Sequence, residues 1–369
     1  MFVARIEFVV LEDMAILYSG PMRLEKPEGT LRRGWTTGAC ATAAVKAAFA
    51  ALKTGHFPDP VTITLPRGET PSFPLALEER GPGWARAGIV KDAGDDPDVT
   101  HGCMVIATVR PGGEGIRFRA GEGVGTVTRP GLPVAVGEPA INPVPRQMIR
   151  DVLAEQHCSD AEVELSIPGG AGLAEKTWNP RLGIVGGLSI LGTTGVVHPF
   201  SCAAWIASIH RGVDVARAMG LDHVAGCTGP VTEDAVRHHF GLPAEAMLDM
   251  GDFVGGLLKY LRDHPVRRVT IGGGFAKIAK LGQGALDLHS GRSQVDLSWL
   301  ADLEPKLCRS SVMSANSALE VLEMAGGIGI AQKVADAGLV TVKQVLRGAP
   351  IVPDVMVVSR EGRIIGHAG

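Results

Sequence analysis

Short bursts of apolar and polar alternation, broken by Gly and Pro, run from about residue 29 to 180; beyond Arg181, apolar strand-like runs alternate with helical spacing. The first rhythm predicts an Ala-rich helix over Ala39 to Leu52, started by a Thr36 or Thr37 cap. Strands are expected at Val61 to Leu65, Phe73 to Leu77, Trp84 to Val90, Met104 to Val109 and Gly115 to Arg119. A Pro-rich connector over Pro130 to Pro145, a helix over Arg146 to Gln156 and a strand over Glu162 to Ile167 complete an α+β, two-layer domain spanning 29–180. The second rhythm reads as helix Ser201 to Met219, strand Asp222 to Ala225, helix Thr232 to Phe240, strand Ala246 to Asp249 and helix Asp252 to Leu261. Strand Arg268 to Ile271, helix Ala276 to Leu288, a mainly helical stretch and an extended piece at Asp354 to Val358 follow. That alternation predicts an α/β domain over 181–369 with a parallel, doubly wound sheet.

Composition narrows the class. At 369 residues the chain exceeds one typical core, which agrees with two domains. Glycine, at 49 residues, is nearly twice as frequent as usual, so many tight turns and backbone-lined ligand sites are expected. A formal net charge of -3 gives no global field to recruit nucleic acid, and an anionic partner must be held by local Arg and Lys. The six cysteines form no CxxC pair and read as reduced cytosolic thiols rather than disulfides or a zinc site. Arg5 and Glu7 interrupt the apolar run Phe2 to Leu11, so no export signal is expected there and the protein is assigned to the cytoplasm. Leu182 to His210 holds no Asp, Glu, Lys or Arg, yet its glycines, Pro199 and hydroxyls suit a domain interior, not a membrane span. A homo-oligomer is left open.

The densest chemistry is Lys91-Asp-Ala-Gly-Asp-Asp-Pro-Asp-Val-Thr-His101-Gly102, four carboxylates, a cation and an imidazole in one broken loop. Isolated, it would read as a solvated turn; its flanks, Ala87 to Val90 and Cys103 to Val109, are apolar and place its charges at the rim of a buried sheet. This loop resembles the signature of the cobalt-precorrin-5B (C1)-methyltransferase family. The resemblance continues through Arg32-Arg-Gly-Trp-Thr-Thr-Gly-Ala-Cys-Ala41, Gly121 to Gly131, Gly137 to Arg146 and Asn179 to Gly195, in the family's order. It implies methyl transfer from S-adenosylmethionine to carbon 1 of a corrin precursor on the anaerobic route to cobalamin, giving cobalt-precorrin-6A. It implies two different α/β-type domains, the second Rossmann-like, and cobalt that arrives only inside the tetrapyrrole substrate, with no metal held by the protein. Residues 1–28 precede the matching blocks and are expected to be a variable extension, with Met22 an alternative first residue.

Three Thr/Gly loops, Trp35-Thr-Thr-Gly38, Gly192-Thr-Thr-Gly195 and Gly226-Cys-Thr-Gly229, are read as lying between an extended segment and a helix, where free N–H groups could hold a carboxylate or phosphate. Ordinary capping is the alternative. Gly226, Thr228 and Gly229, followed about 20 residues later by Asp249 at the next strand end, match the place where nucleoside-binding folds put an acid against ribose hydroxyls. Gly272 and Gly273 join this candidate cofactor site; Asp249 could equally cap the helix near Asp252. At Gly274 the chain departs from a Gly-His-Ile-Gly-Lys pattern frequent in the family, so no catalytic histidine is assigned there, and His289 stands as a weaker candidate.

A corrinoid precursor is a flat apolar macrocycle fringed by carboxylates, so its site needs apolar walls and rim cations. The candidate substrate contacts are Arg32, Thr36, Thr37, Lys91, Arg129, Arg146, Thr193, Thr194 and Lys277; Arg33 and Arg181 lie in the same matched blocks, and Lys280 shares a helical face with Lys277. Salt bridges or solvated faces are the alternative for each cation. Asp95, Asp96 and His101 are the candidate catalytic groups, as a base tuned by crowding or as partners of the arginines. Two other functions stay open: a nicotinamide-dependent reductase of a tetrapyrrole using the Gly226 to Asp249 arrangement, and a non-catalytic corrinoid carrier.

Overall fold

The computed structural model describes residues 29–369, so the expected extension over residues 1–28 lies outside the described part. The fold is mixed α/β, organised by two five-stranded sheets. The first is built from β1 (Leu77–Gly81), β2 (Trp84–Val90), β3 (Met104–Pro111), β4 (Ile116–Ala120) and β5 (Ala161–Ser166). Its order is β1-β2-β3-β5-β4, antiparallel except between β4 and β5. Helix α1 (Thr37–Thr54) lies against β2 and β3, and α2 (Pro143–Glu155) packs on α1. Every residue of α1 from Thr37 to Val45 is buried, which small Ala, Gly, Cys and Thr side chains allow on all sides of a helix. The Thr36 hydroxyl accepts the Ala39 N–H at 3.2 Å and caps α1, which ends at Gly55 in the left-handed region (φ 82°). The strands expected at Val61 to Leu65 and Phe73 to Leu77 contract to the pair Val61–Thr62 and Ser72–Phe73, because Pro66, Pro71 and Pro74 cannot donate to a ladder. Helix α2 starts ahead of the expected Arg146, since Pro143 fits the first helical turn.

The second sheet contains β6 (His223–Cys227), β7 (Met247–Leu248), β8 (Arg268–Gly274), β9 (Val352–Val358) and β10 (Ile364–Ala368). Its order is β7-β6-β8-β9-β10, parallel except for the edge strand β10. Its main helices are α3 (Cys202–Ala218), α4 (Pro230–Phe240), α5 (Val254–Asp263), α6 (Phe275–Gly282) and α7 (Ile328–Leu346). Ala225, Cys227 and Met356 pack with Val236 of α4, whereas Val224, Ile271 and Val355 pack with Ile209, Leu257, Ile278 and Val334 of the other four. Strand side chains alternate in direction, so helices cover both faces.

Three expectations change. Ile184–Val185 pairs with Thr126–Val127, and Val196–Val197 with Gly34–Trp35, so strand–helix alternation begins at α3 and not at Arg181. Helix α6 stops at Gly282, ahead of Gly284 in the left-handed region (φ 91°), which places His289 in a loop rather than at a helix end. Strand β10 was not anticipated.

In β9, beside the start of the central strand β8, Asp354 is 1% exposed and takes a bidentate bond from Arg268 at 2.5 and 2.6 Å, with His367 Nε2 at 3.3 Å from Oδ1. Burial pushes this carboxyl up, but Arg268 and then His367 outweigh it and hold the group below the usual carboxylate range. Asp354→Ala should therefore cost about 2 kcal/mol in denaturant unfolding at neutral pH. An acid with a depressed folded pKa stabilises above its unfolded value, so the difference should stay constant from about pH 8 to 5 and shrink only in stronger acid.

Candidate active site

Three loops converge at the start of α1. The Arg32 main-chain N–H donates to Asp95 Oδ2 at 2.6 Å and its carbonyl accepts the Asp95 N–H at 3.0 Å, while its guanidinium pairs in a fork with the Asp92 carboxylate. The Trp35 N–H reaches the Asp92 carbonyl at 2.7 Å. Here backbone touches backbone: a Cβ on Gly34 would sit 2.0 Å from the Ala93 carbonyl carbon, and one on Gly94 (φ 69°) 2.2 Å from the Arg32 oxygen. The Thr36 N–H donates to the Gly195 carbonyl at 3.0 Å, and the Thr37 hydroxyl accepts the Leu191 N–H at 3.0 Å. The Gly192 to Gly195 loop thus leads into the strand Val196–Val197, not into a helix, and closes over the capped end of α1. Thr194 bonds Val196, and Thr193 is exposed beside it.

Most of the acidic loop's charge is used within this junction. Lys91, 1% exposed, gives its ammonium to Asp98 Oδ2 at 2.8 Å, and Asp98 Oδ1 accepts the Thr100 N–H and hydroxyl at 2.7 and 2.6 Å. His101 Nδ1 accepts the Ala93 N–H at 3.1 Å, which leaves Nε2 as the protonated nitrogen of the neutral ring. The Arg32 guanidinium, and then the Gly94 N–H, draw the Asp92 carboxyl down to about 2. Asp96 behaves differently: burial and then the Asp98 charge push its carboxyl above the usual range against the pull of the Phe200 N–H, which it accepts at 2.8 Å. Phe200 holds φ 56°, uncommon for a side chain of this size, immediately before α3.

A second group gathers at the carboxyl ends of β6, β7 and β8, where successive crossovers leave the sheet in opposite directions from β6. Such a reversal opens a crevice. Gly226 lies within β6, Thr228 and Gly229 follow it, and Gly272 and Gly273 end β8; the Thr228 N–H bonds the Gly272 carbonyl at 3.1 Å. Helices α4 and α6 start here with glycine at the cap position and no side-chain cap. Asp249 follows β7, partly buried, and its carboxylate forms no hydrogen bond or ion pair with any described residue. Burial, and then Glu233, push it up to about 6, with Arg181 opposing. Lys277 is committed to Asp252 and to the Leu288 carbonyl at 3.0 Å.

Arg129 and Arg146 join neither group directly. Arg129 bonds the Pro180 and Arg181 carbonyls and Glu245 (2.5 Å), and Arg146 holds the Ile141 and Pro139 carbonyls, Glu138 and the Phe118 ring. Arg181 forks onto Glu233 of α4 at 2.6 and 3.1 Å, so two arginines tie the first half to the second. Glu233, Glu245 and Trp205, whose indole N–H donates to the Asp249 carbonyl at 3.0 Å, were not singled out from sequence. Their partners lie 44 to 116 residues away, beyond any spacing pattern.

Two family models match, described as CbiD over residues 24–199 and as the CbiD C-terminal domain over residues 287–369. A relative from Paramagnetospirillum magneticum named cobalt-precorrin-5B C(1)-methyltransferase is 60% identical over 92% of this chain and 99% of its own length. The chain belongs to the CbiD family. Family members of the same name from Rhodospirillum rubrum and Brucella anthropi are 60% and 58% identical, over 94% and 95% of this chain and 99% of each relative. A crystal structure described as a cobalamin biosynthesis protein (cbiD) from Archaeoglobus fulgidus aligns at 30% identity over 67% of this chain and 78% of that one, with a TM-score of 0.38. Among the described residues no helix is long and apolar enough to cross a membrane, and no group of His, Cys, Asp and Glu has metal-binding geometry.

The buried Lys91–Asp98 pair is testable. Burial pushes Asp98 up, but the Lys91 charge and the bonds from Lys91 and Thr100 keep it below the usual range. Lys91→Met should cost about 3 kcal/mol at neutral pH by stranding that carboxylate. The gap to wild type should narrow as pH falls through the carboxylate range, because Asp98 without its cation protonates more readily. Lys91→Met/Asp98→Asn should recover more stability than the two separate losses predict.

Proposed function

We propose that this chain is a C-methyltransferase that transfers a methyl group from S-adenosylmethionine to carbon 1 of cobalt-precorrin-5B, working as two domains of which the second is Rossmann-like. The names carried by the close relatives support the reaction. The observation that carries the donor assignment is Asp249: a partly buried carboxylate with no hydrogen bond or ion pair to any described residue, at the end of β7, near two glycines and two uncapped helix starts. That set fits a nucleoside with a cationic centre, in which the ribose hydroxyls donate to Asp249, while Gly272 and Gly273 make room for Val236 and Ile278, whose side chains a Cβ at either position would meet at 2.8 Å. When bound, the donor supplies an electrophilic methyl on sulfur and leaves as a neutral thioether. The protein's task is therefore mostly positioning, worth on the order of 7–11 kcal/mol when two reactants are held in an attack pose. Asp96 is the acid we assign to any proton removal from the macrocycle, since Asp92 and Asp98 are held low by their cations.

Asp249→Asn should weaken adenosylhomocysteine binding by about ten- to a hundred-fold in calorimetry, the size of a lost hydrogen bond to a charged acceptor. Because the ionised carboxylate is the acceptor, wild-type affinity should be flat above neutrality and fall as pH drops through about 6; the variant should lose that dependence. Unchanged affinity in the variant, or thermal stabilisation by nicotinamide dinucleotides instead, would count against the donor site.

A further inference from the structure

Trp205, on the first turns of α3, is 45% exposed, yet its indole is fixed from several sides. Its N–H is bonded to the Asp249 carbonyl at 3.0 Å, and the Phe253 ring lies at 6.2 Å, tilted by 55°. Gly251 passes so close that a Cβ there would be 3.3 Å from Cζ2. An indole held this firmly loses little conformational entropy when something covers its open part. On the same face of the helix Cys202 is exposed one turn before it and Ala204 is exposed at its flank, while Ala203 and Ala207 lie on the far side, so the indole itself is the apolar plate at the start of α3. A cation edges it: the Arg292 guanidinium, also paired with Asp287, lies 5.6 Å from the Phe253 ring centroid.

We infer that the start of α3, with Trp205 as its stacking surface, receives the face of the flat tetrapyrrole acceptor, and that Arg292, whose Nε and Nη2 fork onto Asp287, meets one of its peripheral carboxylates through Nη1. The inference rests on the methyltransferase reading above. Its physical basis is that the plate and the donor crevice share one residue: the Asp249 main chain holds the indole and the Asp249 side chain is assigned to the donor's ribose. Methyl transfer requires both ligands in contact, so the acceptor must border that crevice. An apolar aromatic plate with a cation at its edge complements a macrocycle that is apolar on its faces and anionic on its rim.

The test uses the full chain with cobalt-precorrin-5B and S-adenosylmethionine. Trp205→Ala should raise the tetrapyrrole KM about ten-fold or more, and Trp205→Phe should restore most of that loss; both variants lose the indole bond to the Asp249 carbonyl, so any change in donor KM should be the same in the two. Tetrapyrrole binding should quench wild-type tryptophan fluorescence more than that of Trp205→Phe, a readout that needs no turnover. An unchanged tetrapyrrole KM in Trp205→Ala, or equal quenching in Trp205→Phe, overturns the inference while leaving the methyltransferase reading intact. Loss of self-association in Trp205→Ala with normal kinetics overturns it in favour of a second copy of the chain on this face. Wild-type protein that neither methylates nor binds the tetrapyrrole defeats the functional reading, and the inference with it.

Discussion

The close contact between the backbone at Gly34 and the backbone at Ala93 and Gly94 sets the geometry around it. Neither segment could approach if either glycine carried a Cβ, and the approach brings Arg32 onto Asp92 and Asp95. It also leaves the other edge of Gly34–Trp35 free to pair with Val196–Val197, which in turn carries the chain to Phe200 and the start of α3. Charges that would repel in solution are tolerated because each has a local partner: Lys91 for Asp98, the Arg32 guanidinium for Asp92 and the Phe200 N–H for Asp96.

From that junction the rest of the site follows by short steps. Phe200 turns the chain into α3, α3 carries Trp205, and Trp205 holds the main chain of Asp249. Arg129 and Arg181 fasten the first half to Glu245 and Glu233 from the other side. The second sheet then contributes what a parallel sheet offers at its carboxyl edge: glycine turns, helix starts without side-chain caps and the partly buried Asp249.

Much of this was legible because it is local. The α1 helix and its threonine cap, the strands flanking the acidic loop, and the strand–helix alternation around Asp249 each rest on neighbours within a few residues. What stayed hidden depends on distant pairing. Nothing near Gly192 to Gly195 announces that its partners are Thr36 and Thr37, so the loop read as a helix start. The charges of Lys91, Arg129 and Lys277 looked available for a substrate until the structure supplied Asp98, Glu245 and Asp252. Gly282 and Gly284 ended α6 early, in a stretch whose apolar spacing continued, and β10 was too short and glycine-interrupted to stand out. The corrin substrate itself came from resemblance, since no residue pattern specifies a macrocycle.

The most direct test of the central claim is to incubate the purified chain with cobalt-precorrin-5B and methyl-labelled S-adenosylmethionine, then locate the label in the product. Label on ring carbon 1 is the predicted result. Tetrapyrrole recovered unlabelled, from protein that demonstrably binds it, would contradict the methyltransferase account and favour a carrier.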